Sequence, residues 1–380
     1  MAATDATYDA IVVGIGGMGS AAFYHLTRRG AQVLGLEQFD IAHDKGSSHG
    51  LSRMIRLAYW EHPSYVPLLR RAYELWRELE RASGEPLLIT TGSIDAGPAD
   101  SPAILGARRA CDMFSLPHVL YDGASLTTVF PGYRLPSDFT ALYQPDGGFL
   151  GPERCIHAHV DAAQRAGAVV NTHERVLDWT ERDGHVDVRT DHTTYTCRQL
   201  IVTAGAWAGK LLKDLRPMLT PERQVMLWVA PLRPEYFQPA TFPVVYMHTA
   251  EGSFYALPSH QGSGVKFGKY HHLEQRVDPD AMDRECHAED ERVLREGVRR
   301  YFPDADGPTL AMKTCLFTNT PDEHFVITRL AGAITVAAGF SGHGFKFCSV
   351  VGEILADLAL DGGTRHDISL FARDRGTIVD

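Results

Sequence analysis

A chain of 380 residues, 44% hydrophobic and 22% charged, has the composition of an ordinary folded protein, so a disordered or fibrous protein is excluded. The formal net charge of -10, with no long run of lysine or arginine, argues against a nucleic-acid-binding surface, and no nucleic-acid partner is expected. The length predicts two structural units rather than one.

The first residues, MAATDATYDA, lack the charged start and apolar stretch of a signal peptide. Apolar runs fall short of the ~20 residues needed to cross a bilayer, so we expect a cytoplasmic protein without a membrane partner. The six cysteines form no C-x-x-C pair, and neither a disulfide framework nor a zinc site is predicted. His157 and His159 are two residues apart and share no helix face, so no metal site is expected.

The first predicted element is a strand, Tyr8–Val13, which leads directly into the segment GIGGMG and then a helical segment, SAAFYHLTRRG. Gly14, Gly16 and Gly19 match the dinucleotide fingerprint, in which glycines permit a tight turn, approach of the pyrophosphate and close packing of helix on strand. The next predicted strand, QVLGLE, ends at Glu37, at the distance expected of an acceptor for the ribose hydroxyls. The motif predicts a bound dinucleotide and leaves NAD and FAD open, whereas the acid disfavours NADP.

A polar segment rich in histidine and arginine follows, IAHDKGSSHGLSRMIRLAYWEHPSY, and is predicted to cover the cofactor. Helices are predicted over 65–84 and 152–167, because apolar residues recur at helical spacing in the first and a proline and a glycine bound the second. The segment QLIVTAGAWAGKLL predicts a buried strand, a turn of small residues and a helix. Such a segment resembles the second nucleotide-domain signature of many FAD enzymes.

Strand-like patches separated by proline and glycine follow over about 223–308, and they predict an antiparallel sheet. The chain then returns to an apolar strand, AITVAAGF, a glycine turn, SGHGFK, and a helix over 347–360. The predicted fold class is α/β, or α+β with two domains. A discontinuous Rossmann-like FAD-binding domain takes residues 1–85, 150–222 and 315–380, and an inserted antiparallel-sheet substrate domain takes residues 86–149 and 223–314.

Four segments together, GIGGMG, GSSHGLSRMIRLAY, TPDEHFVI and AAGFSGHGFKF, resemble the monomeric sarcosine oxidase and N-methyltryptophan oxidase family of amine-oxidising flavoproteins. The match is collinear over nearly the whole chain. The resemblance implies FAD-dependent oxidation of a secondary amino acid, N-methyl or cyclic, to an imine, with reduction of O2 to hydrogen peroxide. It also implies a monomer whose partners are a small-molecule amino acid and O2.

The family carries FAD bound covalently, through its 8α-methyl group, to a cysteine just before a T-x-T-x-D-E-H-F run, and Cys315 occupies that position. A cysteine thiolate is the soft nucleophile that this attachment requires. A buried Cys315 beside noncovalent FAD is the alternative. Ser48 of the GSSHG segment, with Gly342 and Gly344 of SGHGFK, completes the expected cofactor-binding set.

The resemblance also assigns the substrate carboxylate to Arg56 of the R-x-x-R segment and to Lys346 of GFK. An anion in a closed pocket needs such pairing, and arginine offers a two-pronged donor. A structural ion pair for Arg56, and a solvent-facing side chain for Lys346, are the alternatives.

Further residues are placed around the flavin by the same resemblance. His49 and Arg53 are expected to line the flavin ring, with purely structural contacts to the loop as the alternative. Lys266 matches the lysine near flavin N5 that promotes reaction with oxygen, since a cation there stabilises developing superoxide. Lys269 lies close in sequence and leaves that assignment ambiguous.

Tyr255 and His271 resemble pocket residues, although the adjacent His272 leaves the histidine uncertain by one position.

Two departures from the family pattern bear on the substrate. Phe317 stands where the sarcosine enzyme has a tyrosine, and Trp60 replaces a glycine common after R-x-A-Y, so sarcosine itself is in doubt. Fructosyl-amino-acid or pipecolate oxidation, or a flavin dehydrogenase that passes electrons to a protein or quinone, are the alternative functions.

Overall fold

The structure, a computed structural model, describes residues 7–182, 184–330 and 332–375. Its strands are β1 (Thr7–Val13), β2 (Val33–Leu36), β3 (Arg53–Ile55), β4 (Leu88–Thr90), β5 (Ser93–Pro98), β6 (Val119–Asp122), β7 (Phe139–Gln144), β8 (Gly148–Leu150), β9 (Val169–Asn171), β10 (Val176–Arg182), β11 (His185–Thr190), β12 (Thr194–Val202), β13 (Thr220–Val229), β14 (Val244–Thr249), β15 (Gly252–Leu257), β16 (Val265–Lys269), β17 (Thr309–Asn319), β18 (Val326–Arg329) and β19 (Ile334–Ala338). Its helices are α1 (Gly17–Arg28), α2 (Tyr65–Ser83), α3 (Pro102–Phe114), α4 (Gly123–Val129), α5 (Pro152–Arg165), α6 (Ala208–Leu211), α7 (Ala288–Tyr301) and α8 (Cys348–Asp361).

The first sheet has the strand order β10-β11-β12-β1-β2-β9, with β19 beside β12 and β18 beside β19. Strand β1 is parallel to both β12 and β2, and β12 is parallel to β19. The central strands are mostly apolar and are buried over residues 10–13, 33–36 and 334–338, because both faces of a parallel sheet are covered. Helices α1, α5 and α8 pack together on one face. The predicted Rossmann-like α/β unit is confirmed.

The second sheet has the order β17-β13-β16-β15-β14-β5-β7-β6 and is antiparallel except for the parallel pair β14 and β5. The predicted antiparallel sheet is therefore present, with its own apolar core under α7. Strand β17 lies wholly in this sheet, and the predicted domain boundary at residue 315 falls inside it. The domain boundaries stay a prediction.

Helix α2 shows how local sequence sets an element. Its apolar residues Leu68, Leu75, Trp76 and Leu79 are buried on one face, as their spacing predicts. The helix ends where Gly84 takes a left-handed φ of 75°, a conformation that glycine adopts without steric cost. This buried face packs against α8 and α5 and so holds the residues after β3 against the first sheet.

A third sheet of three short strands, ordered β3-β8-β4, joins the two larger sheets. The polar segment between β2 and β3 contacts both larger sheets. Its Ser48 contacts Gly17 beside the glycine turn, and its Ser52 contacts Lys266 of the second sheet. No helix among the described residues combines the length and apolarity needed to cross a membrane.

Candidate active site

The glycines of the turn after β1 allow the neighbouring backbone to pack closely and leave one side of the turn open. Gly14 has a φ of +83°, and a Cβ there would lie 2.7 Å from the carbonyl oxygen of Thr203. A Cβ on Gly19 would lie 1.8 Å from the carbonyl oxygen of Gly14, which shows how tightly α1 packs on the turn. A Cβ on Gly16 would meet no atom within 4 Å, because this glycine faces a cavity. Its bare backbone leaves room there for a pyrophosphate at the N-terminus of α1.

Two side chains complete this end of the cavity. Glu37 follows β2 and accepts hydrogen bonds from the backbone N–H groups of Ile15 at 2.8 Å and Phe39 at 3.0 Å. Burial raises the pKa of Glu37, and its carboxylate lines the cavity with lone pairs left for ribose hydroxyls. Ser48 accepts from the N–H of Gly17 at 3.3 Å, in the first turn of α1. These residues fit a dinucleotide.

The cavity has a volume of about 440 Å³ and continues from the glycine turn to the second sheet. Cys315, on β17, lines it and is only 4% exposed. Arg53 donates from Nη2 to the cysteine Sγ at 3.4 Å and to the carbonyl oxygen of Ser47 at 2.8 Å. Arg53 is therefore a cationic hydrogen-bond donor in direct contact with the sulfur inside the cavity.

Lys266, on β16, is 1% exposed and lines the same cavity. Its Nζ donates to the carbonyl oxygens of Gly50 at 2.9 Å and Ser52 at 2.6 Å. Burial, together with the positive charge of Arg53, holds its pKa well below the usual range. The Nζ of Lys269 instead lies 6.0 Å from the ring centre of Phe254, and Lys269 does not line the cavity. Of the two lysines that the sequence left open, the geometry therefore favours Lys266.

His49 lies behind this wall rather than on it. It is 2% exposed, is not among the cavity-lining residues, and neither ring nitrogen has a hydrogen-bond partner within the described residues. Burial and the charges of Arg53 and Lys266 lower the pKa of His49 to about 3, so the imidazole is neutral. Its expected place against the flavin ring stays a prediction.

Arg56 is buried at the other end of the cavity, where three groups hold it. Its Nε donates to Asp95 Oδ1 at 3.1 Å, and its Nη2 contacts both oxygens of Glu61 at 3.3 Å. The guanidinium lies 4.9 Å from the ring centre of Tyr59. Burial raises the pKa of Asp95 to about 7, although the charge of Arg56 lowers it. Asp95 is fully buried, whereas Glu61 is partly exposed and lines the cavity. Glu61 is therefore the exchangeable partner of the arginine.

Lys346 lies beside this group at the start of the short turn before α8. Its Nζ donates to the carbonyl oxygen of His343 at 2.7 Å and lies 5.1 Å from the ring centre of Tyr59. Burial and the neighbouring Arg56 lower the pKa of Lys346 to about 7. The structure therefore brings the two predicted carboxylate-binding cations together and encloses both.

The glycine turn SGHGFK packs tightly against the cavity wall. Gly342 has a φ of +78°, and a Cβ there would lie 2.4 Å from the ring of Phe317. A Cβ on Gly344 would lie 2.5 Å from Phe340. Both positions therefore exclude a side chain, and the two glycines line the cavity, while their part in cofactor binding stays a prediction.

An aromatic row forms one side of the cavity, and the sequence analysis marked two of its four residues, Trp60 and Phe317. Trp60 lies 5.7 Å from Tyr246, Tyr246 lies 6.5 Å from Tyr270, and Tyr270 lies 5.0 Å from Phe317, measured between ring centres. Tyr255 also lines the cavity, and burial raises its pKa to about 12, so its hydroxyl is neutral. Tyr246 and Tyr270 lie in strand-like patches without a motif, so no sequence signal marks them.

The family profile described as FAD dependent oxidoreductase matches residues 9–358, which include the glycine turn, Cys315 and Lys346. The chain belongs to this family. The match decides between the two cofactors that the glycine motif left open, in favour of FAD. The residues at the glycine turn fit that cofactor, since the open face of Gly16 and the buried Glu37 lie where its pyrophosphate and ribose are bound in this fold.

Individual relatives agree with this assignment. Monomeric sarcosine oxidase of Streptomyces avermitilis is 44% identical over 375 residues, which cover 96% of this chain and 97% of that protein. N-methyl-L-tryptophan oxidase of Yersinia pestis is 32% identical over 373 residues, covering 97% and 99%. The solved structure of NikD, described as an unusual amino acid oxidase essential for nikkomycin biosynthesis, has a TM-score of 0.84 at 26% identity and covers 96% and 97%. These similarities confirm the family that the four motifs predict.

His271 of this FAD-dependent oxidoreductase lies between two carboxylates on the cavity wall. Its Nδ1 is 3.1 Å from Glu222 Oε1 and its Nε2 is 2.9 Å from Glu323 Oε1. The hydrogen bonds to Glu222 and then Glu323 raise the pKa of His271 to about 10, against the effect of burial. His272 instead contacts Asp290 and does not line the cavity, so the assignment to His271 is the one that the geometry favours.

The stability of the protein should depend on this histidine in a defined pH window. Because its pKa rises from 6.5 in the unfolded chain to about 10 in the fold, its contribution is complete below pH 6.5 and is lost as the pH rises through 10. We expect the difference in unfolding free energy between wild type and His271→Gln to shrink steadily over that window. Urea unfolding across the window measures it. In a Glu323→Gln background the upper end of this pH window should move down, because the pKa of His271 is raised less. A stability difference between wild type and His271→Gln that does not vary with pH would contradict the protonated state of His271.

Proposed function

We propose that this enzyme oxidises an N-methyl or other secondary amino acid to the imine and uses O2 as the electron acceptor. The observation that carries the proposal is the enclosed pair Arg56 and Lys346 at one end of the cavity that also contains Cys315 and Lys266. Two buried cations side by side call for an anionic group of the ligand. The names of the relatives, sarcosine oxidase and N-methyl-L-tryptophan oxidase, agree with an amino acid as that ligand.

The substrate carboxylate would take the place of Glu61 on Arg56. Glu61 contacts the guanidinium through Nη2 only, and it lines the cavity, whereas Asp95 keeps its fully buried contact to Nε. Asp95 therefore fixes the direction of the arginine while the opposite side changes partner. A carboxylate near Lys346 would also favour its charged form, which burial alone disfavours.

The cofactor would be held by the glycine turn, Glu37 and Ser48, and tethered through Cys315. When bound, FAD takes two electrons from the amino acid and passes them to O2, which gives hydrogen peroxide. Cys315 would supply the sulfur of the tether: its thiol hydrogen and one hydrogen of the 8α-methyl group would be lost as the S–C bond formed, with O2 as the two-electron oxidant. The position of the Cys315 sulfur on the cavity wall, in contact with Arg53, supports the tether.

Among the described residues expected beside the substrate, neither His271 nor Tyr255 is a base, and a bound carboxylate would favour the charged form of Lys346. His271 is protonated between its carboxylates, and the hydroxyl of Tyr255 is neutral. The amine must therefore bind in its neutral form, with its own lone pair assisting loss of hydrogen from the neighbouring carbon. Water then hydrolyses the imine. Lys266 is held by two carbonyl oxygens in the same cavity. Negative charge that develops on oxygen beside it would favour its protonated form, which burial disfavours, and would in turn be stabilised by that charge.

Anaerobic mixing with candidate amines tests the proposal. We expect sarcosine, N-methyl aromatic amino acids, pipecolate, proline or fructosyl amino acids to bleach the flavin absorbance, and admission of air to restore it with formation of peroxide. The methyl ester of an active substrate is the matched control, and it should reduce the flavin poorly because it lacks the carboxylate. Bleaching by none of these amines would sink the proposal. Bleaching without reoxidation in air would indicate a dehydrogenase instead.

A further inference from the structure

The tight turn from Gly50 to Ser52 separates the buried Lys266 from a carboxylate on the other side. The backbone N–H of Gly50 donates to Glu153 Oε1 at 2.6 Å, and the N–H of Leu51 lies 3.2 Å from each oxygen of the same carboxylate. The carbonyl oxygens of Gly50 and Ser52 point the opposite way and accept from Lys266 Nζ. One turn thus connects the carboxylate to the ammonium group through its own peptide groups.

This turn has an unfavourable backbone conformation. Leu51 has a φ of 67° and its side chain is 57% exposed, so no packing of the leucine compensates for the left-handed conformation. Gly50 has a φ of +94°, and a Cβ there would lie 2.8 Å from Met226. Such a conformation persists where the surroundings hold it, and here Glu153 holds both N–H groups.

The carboxylate itself is anchored firmly. Glu153 lies in the first turn of α5, where Pro152 begins the helix and a negative charge is stabilised by the helix N-terminus. Among the described residues, Lys266 forms no salt bridge with any carboxylate. The charged or titratable groups that act on it are Arg53, Cys315 and Glu153, with the neutral His49 nearby.

We propose that Glu153 is a positioning residue for Lys266, acting through the turn Gly50–Ser52. By fixing the two N–H groups it aims the two carbonyl oxygens at Nζ, and its charge offsets that of the ammonium group across the turn. The inference rests on the proposed role of Lys266 in the reaction of the reduced cofactor with O2. It does not depend on which amino acid is the substrate.

The test therefore uses dithionite to reduce the holoenzyme anaerobically and stopped flow to follow its reoxidation by O2. We expect Glu153→Ala to slow reoxidation about tenfold, the rate equivalent of one lost hydrogen bond to a charged group. Glu153→Gln should slow it less, because the amide oxygen can still accept from both N–H groups. Reduction by substrate should change little in either variant. Arg154→Ala, in the same helical turn but paired with the exposed Glu85, is the matched control and should behave as wild type.

Hydrogen exchange gives a second measurement that needs no catalysis. The amides of Gly50 and Leu51 should exchange faster in Glu153→Ala than in wild type, with the rest of α5 unchanged. Faster exchange with unchanged reoxidation would overturn the inference, since the carboxylate would then hold only the loop. Lys266→Met separates failure of the proposed role of Lys266 from failure of the proposed role of Glu153. If it reoxidises slowly while Glu153→Ala does not, only this inference fails; if it reoxidises as wild type, the proposed role of Lys266 fails first.

Discussion

Replacing Arg56 by methionine is expected to lower kcat/KM for the substrate by about 10² to 10³. Removing one partner of an enclosed, hydrogen-bonded charge pair costs about 2–5 kcal/mol, and each 1.4 kcal/mol corresponds to a factor of ten. Methionine keeps an unbranched apolar stem but ends short of the guanidinium, so the contact with Tyr59 is lost together with the charge. The loss should appear mainly in KM, because the carboxylate contact is made in the bound substrate as well as in the transition state.

Steady-state kinetics with the best substrate from the anaerobic screen measures this effect. Arg56→Lys should recover only part of the loss, since an ammonium group cannot hold Asp95 through Nε and present a second donor to the substrate. Arg77→Met is the matched control, because Arg77 pairs with Glu80 on α2 and does not line the cavity. An unchanged KM in Arg56→Met would show that the carboxylate binds elsewhere.

The effect on binding must be separated from an effect on folding. Without Arg56, the fully buried carboxyl of Asp95 loses its ionic partner, and breaking a buried pair commonly destabilises a protein by about 3–5 kcal/mol. The carboxyl can limit this cost by taking up a proton, as its raised pKa already favours. Kinetic constants should therefore be calculated per bound flavin, which counts only folded enzyme.

The contact between Arg56 and Asp95 also shows what the sequence could not provide. The spacing R-x-x-R marks Arg56, which follows β3 of the third sheet. Its partner Asp95 lies 39 residues further along the chain, on β5 of the second sheet. Pairing at such a distance depends on how β3 and β5 approach each other, and no local pattern encodes that approach. An aspartate between two apolar strand residues is the local signal that could have marked Asp95.

Local signals predicted the cofactor half of the site far better. Gly14 and Gly19 lie where the fingerprint requires them, because Gly14 has a positive φ and Gly19 packs on the carbonyl oxygen of Gly14, and both constraints arise within the turn. The ends of α2 and α5 follow their glycine and proline signals closely. The helix predicted after the second nucleotide segment, by contrast, is only the four-residue α6, because the chain turns into the second sheet at β13.

The same contrast holds for Lys266. Its place on a strand follows from alternation in GVKFGK, but its partners are carbonyl oxygens more than 200 residues earlier in the chain. Backbone acceptors leave no trace in a sequence, since every residue has one. The function of such a lysine can be suggested by a resemblance, and only the fold shows that it is buried without a carboxylate beside it.

The tether makes the sharpest prediction, since its outcome is all or none. Acid precipitation of wild-type protein should leave the yellow colour in the pellet, whereas Cys315→Ala should release it into the supernatant. A covalent bond survives unfolding, while contacts at the glycine turn and Glu37 do not. Absorbance of the two fractions near 450 nm measures the outcome.

Cys348→Ala is the matched control, because Cys348 is buried and lines the same cavity. Burial raises the pKa of Cys348 well above the usual range, so its thiol stays protonated and unreactive. Cys315 differs in having the Arg53 guanidinium against its sulfur. Colour should therefore stay in the pellet of Cys348→Ala. Release from wild type would make Cys315 a packing residue beside noncovalent FAD, and retention in Cys315→Ala would move the tether to another side chain; only the expected pattern assigns the bond to the Cys315 sulfur.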